Sequence, residues 1–115
     1  MQLPATFESL IKEANQLNLY KKLIGQLNKD LLYANIDLVF DKEVSPLSLK
    51  NKLHETIFKL IQEKFPDYLN LLYVVDIAEQ KVKKLDGSDT LKLSEQVTFL
   101  ILQREWQKVW FRNQY

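Results

Sequence analysis

The sequence is poor in the residue types that most catalytic and metal sites require. Its 115 residues include two glycines, one histidine and no cysteine. Without cysteine the chain can form no disulfide, no thiolate zinc or iron–sulfur site and no cysteine nucleophile. Glycine provides the positive φ angles of tight hairpin turns and phosphate-binding loops, so its scarcity argues against hairpin-rich β folds and glycine-rich nucleotide sites. These absences predict an all-α protein.

Charge and hydropathy narrow the functional classes further. Sixteen basic and fifteen acidic residues leave a net charge of +1, which gives no overall field toward a polyanion and argues against nucleic acid as a partner. Residues 1–4 have neither the basic nor the apolar region of a signal peptide. No apolar run reaches the roughly 20 residues that span a bilayer. We therefore expect a cytoplasmic protein with no membrane partner.

Apolar residues recur at spacings of three and four along most of the chain, which is the pattern of amphipathic helices. This pattern predicts helices over about 5–16, 19–31, 46–63, 68–77, 79–85 and 90–113. Ser45 and Pro46 form a typical helix start, and Asn18 is the predicted cap of the second helix. We expect one domain, residues 1–115, built as a compact bundle of five or six helices in antiparallel hairpins. The third helix and the long C-terminal helix are expected at its centre.

Two segments allow more than one secondary structure, and one glycine within a predicted helix needs an explanation. Residues 36–40 alternate like a short strand, but no partner strand is evident, so we interpret them as an extended connector or the ragged end of the second helix. Residues 68–77 are nearly all apolar and suit a buried helix or a buried strand, and Pro66 before them favours the helix. Gly25 lies close to the apolar stripe of the second helix, where we expect it to allow a neighbouring backbone to approach.

The C-terminal helix is apolar on two sides, which is typical of a central helix or of a core helix with a second, interacting face. The predicted core aromatic anchors on one side are Phe99, Trp106 and Trp110. The predicted protein-interaction residues on the other side are Leu100, Ile101, Phe111 and Tyr115. Monomers seldom expose an apolar patch of this kind. We therefore expect the N-terminal hairpin or a second chain to cover it, and a homodimer is the simplest such assembly.

The last helix also contains a short sequence, Val-Trp-Phe-Arg-Asn at 109–113, that resembles the core of a homeodomain recognition helix. In that family the tryptophan and the phenylalanine pack inward, and the asparagine reads adenine. The resemblance covers only these five residues, because no basic residues follow the asparagine and no arginine-bearing arm lies upstream. Structural packing is therefore the predicted role of this sequence, and no family is assigned.

The only histidine, His54, lies at the rim of the apolar face of the third helix. Its neighbour Glu55 projects about 100° away from it on a helix, so the two do not face each other as a general-base pair. Metal sites in helical bundles commonly use Glu-x-x-His pairs, and the sequence has none. We therefore predict no catalytic residue, no bound metal and no cofactor.

Three functional hypotheses follow. The leading one is a small non-enzymatic helical module that binds another protein, or itself, through the C-terminal aromatic helix. The first alternative is nucleic-acid binding through the basic segment Lys81–Lys84 together with the terminal Arg112, which a steep salt dependence would support. The second alternative is an apolar small-ligand binder or enzyme, with a pocket lined by Tyr68 and Tyr73 and with Asp76 as its polar group.

Overall fold

Six α-helices make up the regular structure of residues 2–114, the part of the chain that this computed structural model describes. Their bounds are α1 (Phe7–Gln16), α2 (Tyr20–Tyr33), α3 (Pro46–Glu63), α4 (Phe65–Val75), α5 (Glu79–Lys83) and α6 (Thr90–Arg112). The described range contains no strand, so the predicted all-α class is confirmed. Most of the apolar segment 68–77 lies in α4, which confirms the helical alternative. Between residues 2 and 114, no helix has both the length and the apolar character needed to cross a bilayer.

Side-chain caps determine where three of the helices begin. The Thr6 hydroxyl accepts a hydrogen bond from the Ser9 backbone N–H at 3.1 Å, and the Ser9 hydroxyl accepts one from the Thr6 N–H at 3.2 Å. Ser45 caps α3 through its side chain immediately before Pro46, and Asp89 caps α6. Each cap satisfies an N–H group that has no partner inside the first turn. The predicted start of α3 is therefore confirmed.

Three helices are followed by a residue in the left-handed backbone conformation. Asn18 has a φ of 56°, Asn35 of 59° and Asp76 of 71°, whereas no glycine has a positive φ. Asparagine and aspartate tolerate this conformation better than other residues with a side chain. At these three helix ends the left-handed residue is therefore an asparagine or an aspartate and not a glycine. The prediction that Asn18 caps α2 is wrong, because Asn18 belongs to the turn and Leu19 precedes the helix.

The core is built around α6, which contacts α1, α2, α3 and α4. Its buried residues lie on several sides of the helix, because α3 covers one side and α2 another. The largest side chain with no solvent exposure is Trp106. The six helices form a compact globule with a radius of gyration of 13.4 Å. The predicted central position of the last helix is therefore confirmed, and the third helix packs against it.

The connector between α2 and α3 is extended, and side chains of α2 attach it to that helix, Asn28 among them. The Asn28 amide donates to the Phe40 carbonyl oxygen at 2.8 Å and accepts from the Phe40 N–H at 2.9 Å. These two bonds reproduce the pairing that a neighbouring strand would provide. The Phe40 ring is buried against the core. Residues 36–40 therefore form the extended connector that the sequence suggested.

Gly25 does not mediate a close helix contact, and that prediction is wrong. A Cβ atom built on Gly25 would meet no atom within 4 Å. The residue faces an open groove between α2 and the end of α6. Its place in the interior of α2 is therefore unfavourable for the helix and is not required by packing.

We expect Gly25→Ala to raise the free energy of unfolding by up to about 1 kcal/mol, because alanine restricts the unfolded chain and no atom obstructs its methyl group. Chemical denaturation followed by circular dichroism at 222 nm measures this change. An unchanged or lower denaturation midpoint would show that the backbone of α2 needs glycine at this position.

We expect Trp106→Ala to lower the free energy of unfolding by about 3–5 kcal/mol, because it removes the largest fully buried side chain and leaves a cavity. Denaturant unfolding measures the change, and Leu47→Ala on the exposed side of α3 is the control. A loss of less than about 1 kcal/mol for the Trp106 variant would contradict a central role for this ring.

Candidate functional site

The predicted interaction residues of α6 do not form one exposed surface. Ile101 is completely buried, so its prediction as an exposed interaction residue is wrong, because neighbouring helices cover that side of α6. Leu100 is half-buried and lines a cleft with Leu3 and Ile77. Phe111 is 41% exposed. Tyr115 lies outside the described residues.

The predicted aromatic anchors differ in how deeply they are buried. Trp106 has no exposed surface, whereas Phe99 and Trp110 are half-buried and pack against the edge of the core. The Phe111 ring meets the Trp110 ring edge to face, with centroids 5.2 Å apart. A homeodomain would pack that phenylalanine inward. The short resemblance at 109–113 therefore does not extend to the packing of Phe111.

The structure does not bring the two tyrosines of the ligand-pocket hypothesis together. Tyr68 is 2% exposed and Tyr73 is 83% exposed, so one ring belongs to the core and the other to the surface. Burial raises the pKa of Tyr68. Asp76 lies in solvent, where its carboxylate accepts a hydrogen bond from Arg104 Nη2 at 2.9 Å. No shared cavity is therefore available to these three residues in the way the sequence suggested.

The basic segment of the nucleic-acid hypothesis is exposed but partly neutralised. Lys83 pairs with Glu79 at 3.1 Å along α5. Lys81 lines the same cleft as Asp76. Lys84 is exposed at the end of α5. The carboxylate of Asp76 pairs with Arg104, so among these three lysines an ion pair is found only for Lys83, and the segment is only partly compensated toward a phosphate backbone.

His54 contacts a serine, but the arrangement is not that of a nucleophile and its base. His54 Nε2 lies 2.7 Å from the Ser94 hydroxyl oxygen, and the Ser94 hydroxyl donates its proton to the Leu91 carbonyl oxygen at 2.7 Å. When the hydroxyl proton lies on this carbonyl, the imidazole donates to Ser94, which is the reverse of what a general base does. The serine is also fully buried. Between residues 2 and 114, no group of three potential metal ligands is assembled.

A buried ionisable cluster joins α2 to α6. The Asp30 carboxylate accepts from Lys108 Nζ at 2.7 Å and from the Gln26 amide at 3.2 Å. Glu105 is completely buried beside it, with one carboxyl oxygen 3.5 Å from Lys108 Nζ. Two acidic side chains thus share one lysine inside the bundle. The paired positions also show that α2 and α6 run antiparallel, since Arg112 contacts Gln26 one turn away.

Burial is the main reason why the pKa of Glu105 is raised to about 9, and the hydrogen bond and charge of Asp30 raise it further. Lys108 lowers the pKa of Glu105, but by less than burial and Asp30 raise it. As a carboxylate, Glu105 would have two buried oxygens without a hydrogen-bond donor among the described residues. As a carboxylic acid it can donate a hydrogen bond to Asp30. The side chain is therefore protonated at neutral pH.

One side of α4 forms an exposed apolar surface. Phe65, Leu69 and Tyr73 are 49%, 50% and 83% exposed, and their four-residue spacing places them on a single ridge. We call this ridge the α4 face. Beside it lies a groove of about 420 Å³ between α4 and α5, whose apolar lining includes Leu72, Ile77 and Val82. Sequence reasoning missed this surface because an apolar run alone does not show which of its residues are covered.

The raised pKa of Glu105 predicts a stability that falls as pH rises. The unfolded chain loses this proton near pH 4.5 and the folded chain near pH 9. Between these values the folded state binds more protons, so the free energy of unfolding decreases by up to about 1.4 kcal/mol per pH unit from this residue alone.

We expect Glu105→Gln to remove this dependence, so that the variant matches the wild type near pH 4.5 and exceeds it increasingly toward pH 8. Denaturant unfolding at a series of pH values measures the difference. Glu95→Gln, on the exposed side of α6, is the matched control and should run parallel to the wild type. A constant difference between the Glu105 variant and the wild type across this range would show that Glu105 is already ionised in the folded protein.

Comparison with known proteins gives no relative from which a role could be transferred, since no protein-family model, curated protein or solved structure matches this chain. The surface feature that distinguishes this bundle most clearly is the α4 face with its adjoining groove.

Proposed function

We propose that this protein is a non-enzymatic interaction module that self-associates through the α4 face as a two-fold dimer. The observation that carries the proposal is the exposed ridge of Phe65, Leu69 and Tyr73 on one helix. Three large apolar side chains in line along about 12 Å of helix are costly to leave in water. Contiguous exposed apolar surface of this kind marks interaction sites on other proteins.

A second copy suits this surface because the surface contains both a projection and a recess. Tyr73 is the most exposed large apolar residue of the described chain, and it borders the groove lined by Leu72, Ile77 and Val82. In a two-fold pair each copy offers the same patch to the other, so one projecting ring can enter each groove. Ridges of four-residue spacing also interdigitate with ridges of the same spacing.

The edge of the groove has the polar character expected of an interface rim. Glu79 and Lys83 line the groove and pair with each other at 3.1 Å. An ion pair satisfied within one copy needs no partner across the interface and remains in contact with solvent there. Tyrosine is also a frequent anchor at interface centres, because it buries a large ring while its hydroxyl can stay hydrated.

The sequence also suggested an interaction module, but with α6 as the interacting helix. We propose α4 in its place. On α6, Ile101 is buried in the core, and the Phe111 ring packs against the Trp110 ring. On the α4 face the Phe65 ring likewise packs against Tyr68, with centroids 5.3 Å apart, whereas Leu69 and Tyr73 remain 50% and 83% exposed. The complete burial of Ser94 disfavours catalysis by the His54–Ser94 pair.

We expect Leu69→Glu to raise the dimer dissociation constant by at least about a hundredfold, because burying an unpaired carboxylate costs several kcal/mol. Sedimentation velocity over a wide concentration range measures this change. Leu47→Glu is the matched control, since Leu47 is an exposed helical leucine at the far end of α3. It should dimerise like the wild type.

Phe111→Ala separates the two surfaces. If the α4 face forms the interface, the Phe111→Ala variant dimerises like the wild type. If instead Phe111→Ala abolishes the dimer and Leu69→Glu does not, the interface lies on α6. A wild-type protein that remains monomeric at millimolar concentration would refute self-association.

A further inference from the structure

A second surface, separate from the α4 face, is strongly basic. It is a groove of about 610 Å³ between α2 and the last turn of α6, with the connector at one edge. We call it the basic groove. Its cationic lining residues are Lys21, Lys22, Lys29, Lys42 and Arg112. The net charge of the whole chain is only +1, so five cationic side chains around one groove are a marked local excess of positive charge.

Few carboxylates compensate this charge. None of the described residues that line the groove is acidic. Lys21 pairs with Glu43 at 2.7 Å outside the lining, which leaves four cations, on Lys22, Lys29, Lys42 and Arg112. Like charges held this close repel one another, so a ligand with several negative charges would relieve the repulsion.

Two of the cationic groups are held in place by hydrogen bonds to neighbouring side chains. Arg112 Nη1 donates to Gln26 Oε1 at 2.8 Å, and the other end of the same buried amide donates to Asp30. Lys22 Nζ donates to Asn113 Oδ1 at 2.8 Å. A guanidinium fixed in this way keeps its remaining N–H donors in a planar fork that matches phosphate geometry.

The floor of the groove also favours an anion. Gly25 leaves the centre open, with no atom within 4 Å of where a side chain would begin. The buried cluster beneath adds no net negative charge, because Lys108 balances Asp30 and the raised pKa of Glu105 keeps that carboxyl neutral. The positive potential of the groove is therefore not cancelled from inside the bundle.

We propose that the basic groove is a binding site for a compact polyphosphate group, such as free tripolyphosphate or the triphosphate of a nucleotide. Four positive charges match a ligand with about four negative ones, which an isolated carboxylate or monophosphate does not carry. The volume lies within the range of about 300–1,000 Å³ typical of small-molecule sites. No aromatic ring of the described residues lines the groove, so a nucleoside base has nothing to stack on.

The test is a calorimetric titration of the full chain with sodium tripolyphosphate at low ionic strength, paired with amide chemical-shift mapping. We expect saturable binding with shifts confined to α2, the connector and the end of α6. The double variant Lys22→Gln/Arg112→Gln should weaken binding by at least about tenfold, since it removes two charge-assisted contacts. Lys42→Gln alone, in the connector and away from any helix, should weaken it severalfold without a risk to folding.

The control with the same loss of charge is Lys81→Gln/Lys84→Gln on α5, which should bind tripolyphosphate as the wild type does. A nucleoside triphosphate should bind as tightly as tripolyphosphate, because only the phosphates are contacted. Equal weakening by the α5 variant would overturn the site, as a general charge effect would then explain the binding. A single-stranded oligonucleotide that binds more than about tenfold more tightly than tripolyphosphate would assign the groove to a nucleic-acid backbone instead.

Discussion

The enclosure of α6 by four other helices is the constraint on which the rest of this structure depends. Its 23 residues measure about 35 Å, and the longest dimension of the globule is 37 Å. The helix therefore runs through nearly the whole molecule. Each other helix that contacts it buries its own apolar stripe there, which provides most of the favourable free energy of folding.

This enclosure also explains the unusual chemistry at the seam between α2 and α6. A central helix of this length carries a glutamate to a depth where a charge would be costly. Glu105 remains there because a proton removes its charge, while Lys108 neutralises Asp30. Replacing such groups with apolar residues often stabilises a protein. The cluster is therefore better explained by what it positions, since Asp30 and Gln26 hold Arg112 at the basic groove.

Much of the fold was predictable because its signals are local. Ser45 and Pro46 fixed the start of α3, and regular apolar spacing indicated α1, α2 and α6. The burial of Ile101 was not predictable in this way, since a helix that is apolar on two sides does not show which side is covered. The exposure of Leu69 on α4 was not predictable for the same reason, because an apolar run does not show which of its residues are covered.

The candidate sites were harder to foresee, because they depend on residues far apart in the chain. Lys22 and Lys29 were recognisable as the polar side of α2, but their groove also needs Lys42 and Arg112. Glu105 does not stand out in the sequence, because its raised pKa depends on burial and on Asp30 from another helix. Hydropathy of a single segment contains no information about such pairings.

The position of α6 in the order of the helices has a consequence for biosynthesis. The ribosome makes α6 after the four helices that pack against it, at a rate of about 5–20 residues per second. Until α6 emerges, the apolar stripes of those helices have no common partner. Burial of the core therefore becomes complete only after α6 has been synthesised, although α2 and α3 can already pack against α4 before that.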